Sequence, residues 1–71
     1  MNDKKLFIGY KYEIENNISR IKLLTNKGNF KNVDELKERV FILFTGMIAH
    51  LKVIDSEVKE LAVKVLSISD Y

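Results

Sequence analysis

Residues 32–54 carry an apolar pattern at helical spacing, and this pattern constrains the fold more than any other part of the chain. Asn32 is placed to cap such a helix, with Glu35 three residues later as the second half of a capping box. The apolar positions recur at i, i+3, i+4 and i+7, as on one face of an α-helix. They are Val33, Leu36, Val40, Leu43, Phe44, Met47, Leu51 and Ile54. The pattern therefore predicts a helix over residues 33–54.

The same helix has apolar side chains outside its main face. At about 100° per residue, Ile42, Gly46 and Ala49 form a second ridge. Phe41 and Ile48 fall among charged residues, on the side expected to face solvent. Large apolar side chains that lie outside the core-facing side of a helix indicate a contact surface.

Chain length favours self-association. A domain of about this size buries only about 60 % of the surface of its unfolded chain, so it often needs extra support. The 71 residues include no cysteine and one histidine, which excludes disulfides, thiolate metal sites and histidine-rich metal sites. We therefore expect a homodimer and no metal or cofactor.

Residues 4–25 fit two structures. As a helix, they present one apolar stripe over six turns: Phe7, Tyr10, Ile14, Ile18, Ile21 and Leu24. As a hairpin, apolar residues alternate from Leu6 to Ile14, and Asn16-Asn17 would form the turn. The helix is favoured because the second strand of the hairpin alternates poorly.

A turn at residues 25–29, rich in Asn and Gly, separates this segment from the rest of the chain. A third helix is predicted at 56–68, with Val58, Leu61, Ala62 and Val65 on one face. The expected fold is a single all-α domain over residues 1–71, with helices at about 4–25, 33–54 and 56–68 and completed by dimerisation. The alternative is a ββαα arrangement with an N-terminal hairpin.

Residues suited to catalysis are sparse. His50 is the only histidine, and no serine lies in a strand-to-helix elbow. His50 is expected at the edge of the core or in an interface. Acidic residues near the start of the second helix compensate its dipole, and Gly28 stands outside any phosphate-binding motif. We expect no enzymatic activity.

The two halves of the chain differ in charge. Residues 1–31 hold seven Lys and Arg against three Asp and Glu, whereas residues 32–71 hold five against seven. If the basic half binds nucleic acid, Arg20, Lys22 and Lys27 are the candidate phosphate contacts. The helix after the turn is acidic at its start and apolar beyond, which does not suit a recognition helix. Nucleic-acid binding is therefore the second hypothesis.

The first hypothesis is a non-catalytic helical protein that binds another protein, as a regulator, inhibitor, immunity factor or assembly adaptor. A composition rich in Lys, Asn and Ile resembles small proteins of AT-rich bacteria and their mobile elements. The apolar run at 40–49 is shorter than the ~20 residues that span a bilayer, so a cytoplasmic location without membrane contact is expected. The residues expected at the interface are Tyr12, Phe41, Ile42, Ile48 and Ala49.

Overall fold

Three α-helices make up the fold. The computed structural model describes residues 3–51 and 56–70. The helices are α1 (Asp3–Asn26), α2 (Phe30–His50) and α3 (Ser56–Ser67), and a 3₁₀ turn follows at Ile68–Asp70. α1 and α2 form an antiparallel hairpin, because Tyr10 near the start of α1 contacts His50 at the end of α2. α3 packs against both helices. The predicted all-α, three-helix fold is confirmed.

One hydrophobic core joins the three helices. Its buried members are Phe7, Ile14, Ile18, Ile21, Val33, Val40, Met47, Val58, Leu61, Val65 and Ile68. The remaining members of the predicted faces are partly buried and pack against this cluster: Tyr10, Leu24, Leu36, Leu43, Phe44 and Leu51. The helical periodicity thus predicted the inward-facing side of each helix, because only that side carries apolar residues at i, i+3, i+4 and i+7.

The turn between α1 and α2 is a Schellman motif. The backbone N–H of Asn29 donates to the carbonyl of Leu24 at 3.0 Å, and that of Gly28 donates to the carbonyl of Thr25 at 3.1 Å. Gly28 adopts a φ of 77°, the left-handed conformation that glycine reaches without a Cβ penalty. Three residues are therefore enough to reverse the chain.

The predicted start of the second helix is wrong. α2 begins at Phe30, and Asn29 occupies the N-cap position without a side-chain hydrogen bond to the helix. Because the Schellman motif ends α1 and reverses the chain within three residues, α2 begins before Asn32. Asn32 therefore lies inside the first turn of α2 and does not cap it. The predicted end at 54 is also wrong, since Leu51 is already extended. Residues 52–54 of the predicted helix lie outside the described residues.

Two glycines should respond in opposite directions to replacement by alanine. Gly9 lies inside α1, and a Cβ there meets no atom within 4 Å, so Gly9→Ala should raise the free energy of unfolding by about 0.5–1 kcal/mol. Gly28→Ala should lower it by about 1–2 kcal/mol, because alanine is strained at positive φ. Urea unfolding at one low protein concentration measures both changes. A gain at Gly28 would contradict the assigned turn.

Candidate interaction surfaces

An ion pair between Lys64 and Glu15 marks the side of α3 that faces α1. The ammonium of Lys64 lies 3.3 Å from a carboxylate oxygen of Glu15, and Lys11 lies 4.0 Å from the other oxygen. The three side chains are well exposed, so the pair contributes little to stability. The pair nevertheless shows that the Lys64 side of α3 faces α1. Leu66, about 160° from Lys64 around the helix, must lie on the side next to α2.

The register of the hairpin then brings Leu66 to the level of Phe41. Tyr10 of α1 lies near Gly46 and His50 of α2, with its hydroxyl 3.8 Å from the Cβ position of Gly46. Antiparallel helices in this register bring Glu15 level with about residues 41–45 of α2. Since Lys64 pairs with Glu15, the last turn of α3 lies at the level of Phe41.

Apolar side chains are exposed where α2 and α3 meet. Leu66 of α3 is 67 % exposed, and Phe41 of α2 is 40 % exposed. Ile48 of α2 lies on the same side as Phe41, about 20° away around the helix, and is half-buried against the core. We call Phe41, Ile48 and Leu66 the α2–α3 face. It is an apolar surface built from two helices.

The opposite side of the hairpin is not covered by α3, and we call it the open face. Its members, taken from the residues that line its two clefts and from helical projection at 100° per residue, are Leu6, Glu13, Asn17, Arg20 and Leu24 of α1, and Glu35, Arg39, Ile42, Gly46 and Ala49 of α2. A cleft of about 540 Å³ lies at its turn end, lined by Arg20, Leu24, Asn32, Glu35, Leu36 and Arg39. A second cleft of about 510 Å³ lies at its other end, lined by Lys5, Leu6, Gly9, Tyr10, Glu13 and Leu43. The open face is therefore mixed in polarity along its length.

The five residues predicted at an interface do not share one surface. Phe41 and Ile48 belong to the α2–α3 face, whereas Ile42 and Ala49 belong to the open face. Tyr12 is exposed on a third side, the outer surface of α1. Neighbours in sequence on a helix point about 100° apart, which separates Phe41 from Ile42. Their role in binding stays a prediction.

The three predicted phosphate contacts are also separated. Arg20 lines the cleft that it shares with Arg39, and Lys22 lines a depression between α1 and α3 together with Lys64. These positions are about 160° apart around α1. Lys27 lies in the turn that follows α1. The structure does not bring the three cations to one surface.

His50 lies at the exposed end of α2, at the edge of the hairpin. Its ring stacks loosely on that of Tyr10, with centroids 6.5 Å apart and planes inclined by 27°. Within residues 3–51 and 56–70, no three His, Asp or Glu side chains gather as metal ligands would. None of the helices described is both long and apolar enough to cross a membrane.

Sequence reasoning missed two residues of these surfaces. Leu66 falls outside the buried stripe of α3, and a projection of that helix at 100° per residue would have marked it as a surplus apolar residue. Arg39 gave no signal as a partner of Arg20, because their shared cleft depends on how α1 and α2 pack.

Comparison with models of known families, with curated proteins and with solved structures gives no match to this chain.

Proposed function

We propose that this protein binds another protein through the α2–α3 face and acts without catalysis, as a regulator, inhibitor, immunity factor or assembly adaptor. The proposal keeps the cytoplasmic location expected from the sequence. The observation that carries it is the exposure of Phe41 and Leu66 at the same level of two helices that pack against each other. Large exposed apolar side chains grouped in this way mark a site of association.

The energetics suit a small binding centre. Full burial of a Val, Leu or Phe side chain contributes about 1.5–3 kcal/mol relative to exposure. Allowing for the part that the fold already covers, Phe41 and Leu66 together would contribute roughly 2–3 kcal/mol on binding. Binding energy in protein interfaces is commonly concentrated in a few such residues, surrounded by contacts that exclude water.

Partners other than protein fit the surfaces less well. A nucleic-acid interface needs Lys and Arg clustered on one face of the protein. Here Arg20 and Lys22 lie on opposite sides of α1, and Lys64 is already paired with Glu15. The apolar α2–α3 face is the better candidate for a binding surface.

A double variant tests the proposal. Phe41→Lys/Leu66→Lys places two charges on the α2–α3 face, and it leaves Ile48 unchanged because that side chain packs against the core. We expect the variant to fold, since neither Phe41 nor Leu66 belongs to the buried core. Capture from extracts of the cells that make the protein, followed by quantitative mass spectrometry, should show specific partners that the wild type retains and the variant loses.

A matched control distinguishes the loss of binding at the α2–α3 face from a general effect of two added charges. Ile8→Lys/Leu23→Lys makes the same change at two positions of α1 that are 55 % and 54 % exposed. The control should retain the partners of the wild type. The proposal fails if the Phe41→Lys/Leu66→Lys variant retains them equally well.

A further inference from the structure

We propose that a second copy of this chain binds on the open face, with the two hairpins related by a two-fold axis at right angles to α1. The axis would pass beside Asn16 and Asn17 of α1 and beside Ile42 of α2. The resulting four-helix arrangement places each α3 on the outside, so this contact is separate from the α2–α3 face.

Charge complementarity along α1 is the first argument. Glu13 and Arg20 are seven residues apart, which is two helical turns, so they lie on the same side of α1. Asn16 and Asn17 lie midway between them. When two copies of α1 run antiparallel about this midpoint, Glu13 lies opposite Arg20 of the second copy and Arg20 lies opposite Glu13 of the second copy. A two-fold interface requires such reciprocal pairing.

Both charges are available for this contact. Glu13 and Arg20 are exposed, and neither forms a salt bridge within the part of the chain that the structure describes. Opposite charges placed in this way favour one register over others, because a shift along the helix axis would bring like charges together. The pattern is therefore self-complementary in the antiparallel orientation.

The shape of α2 agrees with the same axis. In the register of the hairpin, the midpoint at Asn16 and Asn17 lies level with Ile42, which is 64 % exposed and would pack against Ile42 of the second copy. Arg39 lies three residues before Ile42, and Gly46 lies four residues after it. A two-fold axis at Ile42 thus places the long side chain of Arg39 over Gly46 and the neighbouring Tyr10 hydroxyl of the second copy.

The open face is large enough for a stable contact. The molecule measures 40 × 19 × 15 Å and has an accessible surface of 5194 Å². A specific interface buries about 800 Å² on each partner. The open face runs along most of the molecule's length and across two helices, which matches that requirement.

Charge reversal tests the proposed pairing. Glu13→Arg and Arg20→Glu each create two like-charge contacts in the homodimer, so each should weaken dimerisation at least about tenfold. A mixture of the two variants should dimerise again, because both contacts of the mixed dimer then join opposite charges. The Glu13→Arg/Arg20→Glu variant should dimerise like the wild type for the same reason. Sedimentation velocity over a range of concentrations measures all four samples.

Two controls make the outcome specific. Glu60→Arg on the exposed surface of α3 changes the charge equally but away from the open face, and it should leave dimerisation unchanged. Phe41→Lys/Leu66→Lys should dimerise like the wild type, so failure of the proposed function would not be mistaken for failure of this contact. A wild type that is monomeric up to about 1 mM, or a mixture that associates no better than its components, would overturn the proposal.

Discussion

Val40→Asp should abolish the folded state, whereas Ile42→Asp should leave it intact. The Val40 side chain is fully buried in the core, and a carboxylate there would have no partner. Burying such a group costs several kcal/mol. The total stability of a domain of this length is roughly 4–10 kcal/mol, so the loss is comparable with the whole.

Ile42 is the matched control for Val40. It is a large apolar residue on the same helix, two positions away and 64 % exposed. Replacements at such surface sites usually change stability by less than about 0.5 kcal/mol. Far-ultraviolet circular dichroism and urea unfolding at low protein concentration distinguish the two variants. A Val40→Asp protein that unfolds cooperatively at the same urea concentration as the wild type would show that the core is misassigned.

Leu61→Ala should lower the free energy of unfolding by about 2–5 kcal/mol, the range found for truncated core leucines. Leu61 is 1 % exposed and is one of three fully or nearly fully buried residues on the inner face of α3, with Val58 and Val65. A helix of 12 residues is not stable alone in water. α3 therefore depends on this apolar contact with the hairpin.

The loss at Leu61 should extend beyond α3. Because buried residues of all three helices form one cluster, we expect amide hydrogens around Ile18 in α1 to lose protection together with those of α3. Val63→Ala, on the exposed side of the same helix, should change protection little. Amide hydrogen exchange measures both. Loss of protection confined to α3 would show that the hairpin folds without it.

The helices could be predicted from the sequence because each buries a stripe of regularly spaced apolar residues. The stripe from Phe7 to Leu24 outweighed Gly9 and the two asparagines inside α1, since packing on the core overrides weak helix propensity. The start of α2 was misplaced because Asn29 and Asn32 are equally good capping residues by type. Only the geometry of the turn at Gly28 decides between them.

The surfaces could be predicted only in part. Phe41 and Ile48 were identified because a single helix projection shows them to be apolar residues outside the main face. Leu66 of α3 was not, because its position at the level of Phe41 depends on the register between two helices. The same limit applies to Arg20 and Lys22, which are close in sequence but belong to different surfaces.

Photocrosslinking in the cells that make this protein tests the claim that the α2–α3 face binds another protein. A photoreactive side chain would replace Leu66 in the face, Ile42 on the open face and, as a control, Glu60 on α3. We expect a covalent adduct with a different protein from position 66, an adduct of two copies of this chain from position 42, and neither from position 60. The claim is contradicted if position 66 yields no more adduct than position 60, or yields only an adduct of two copies.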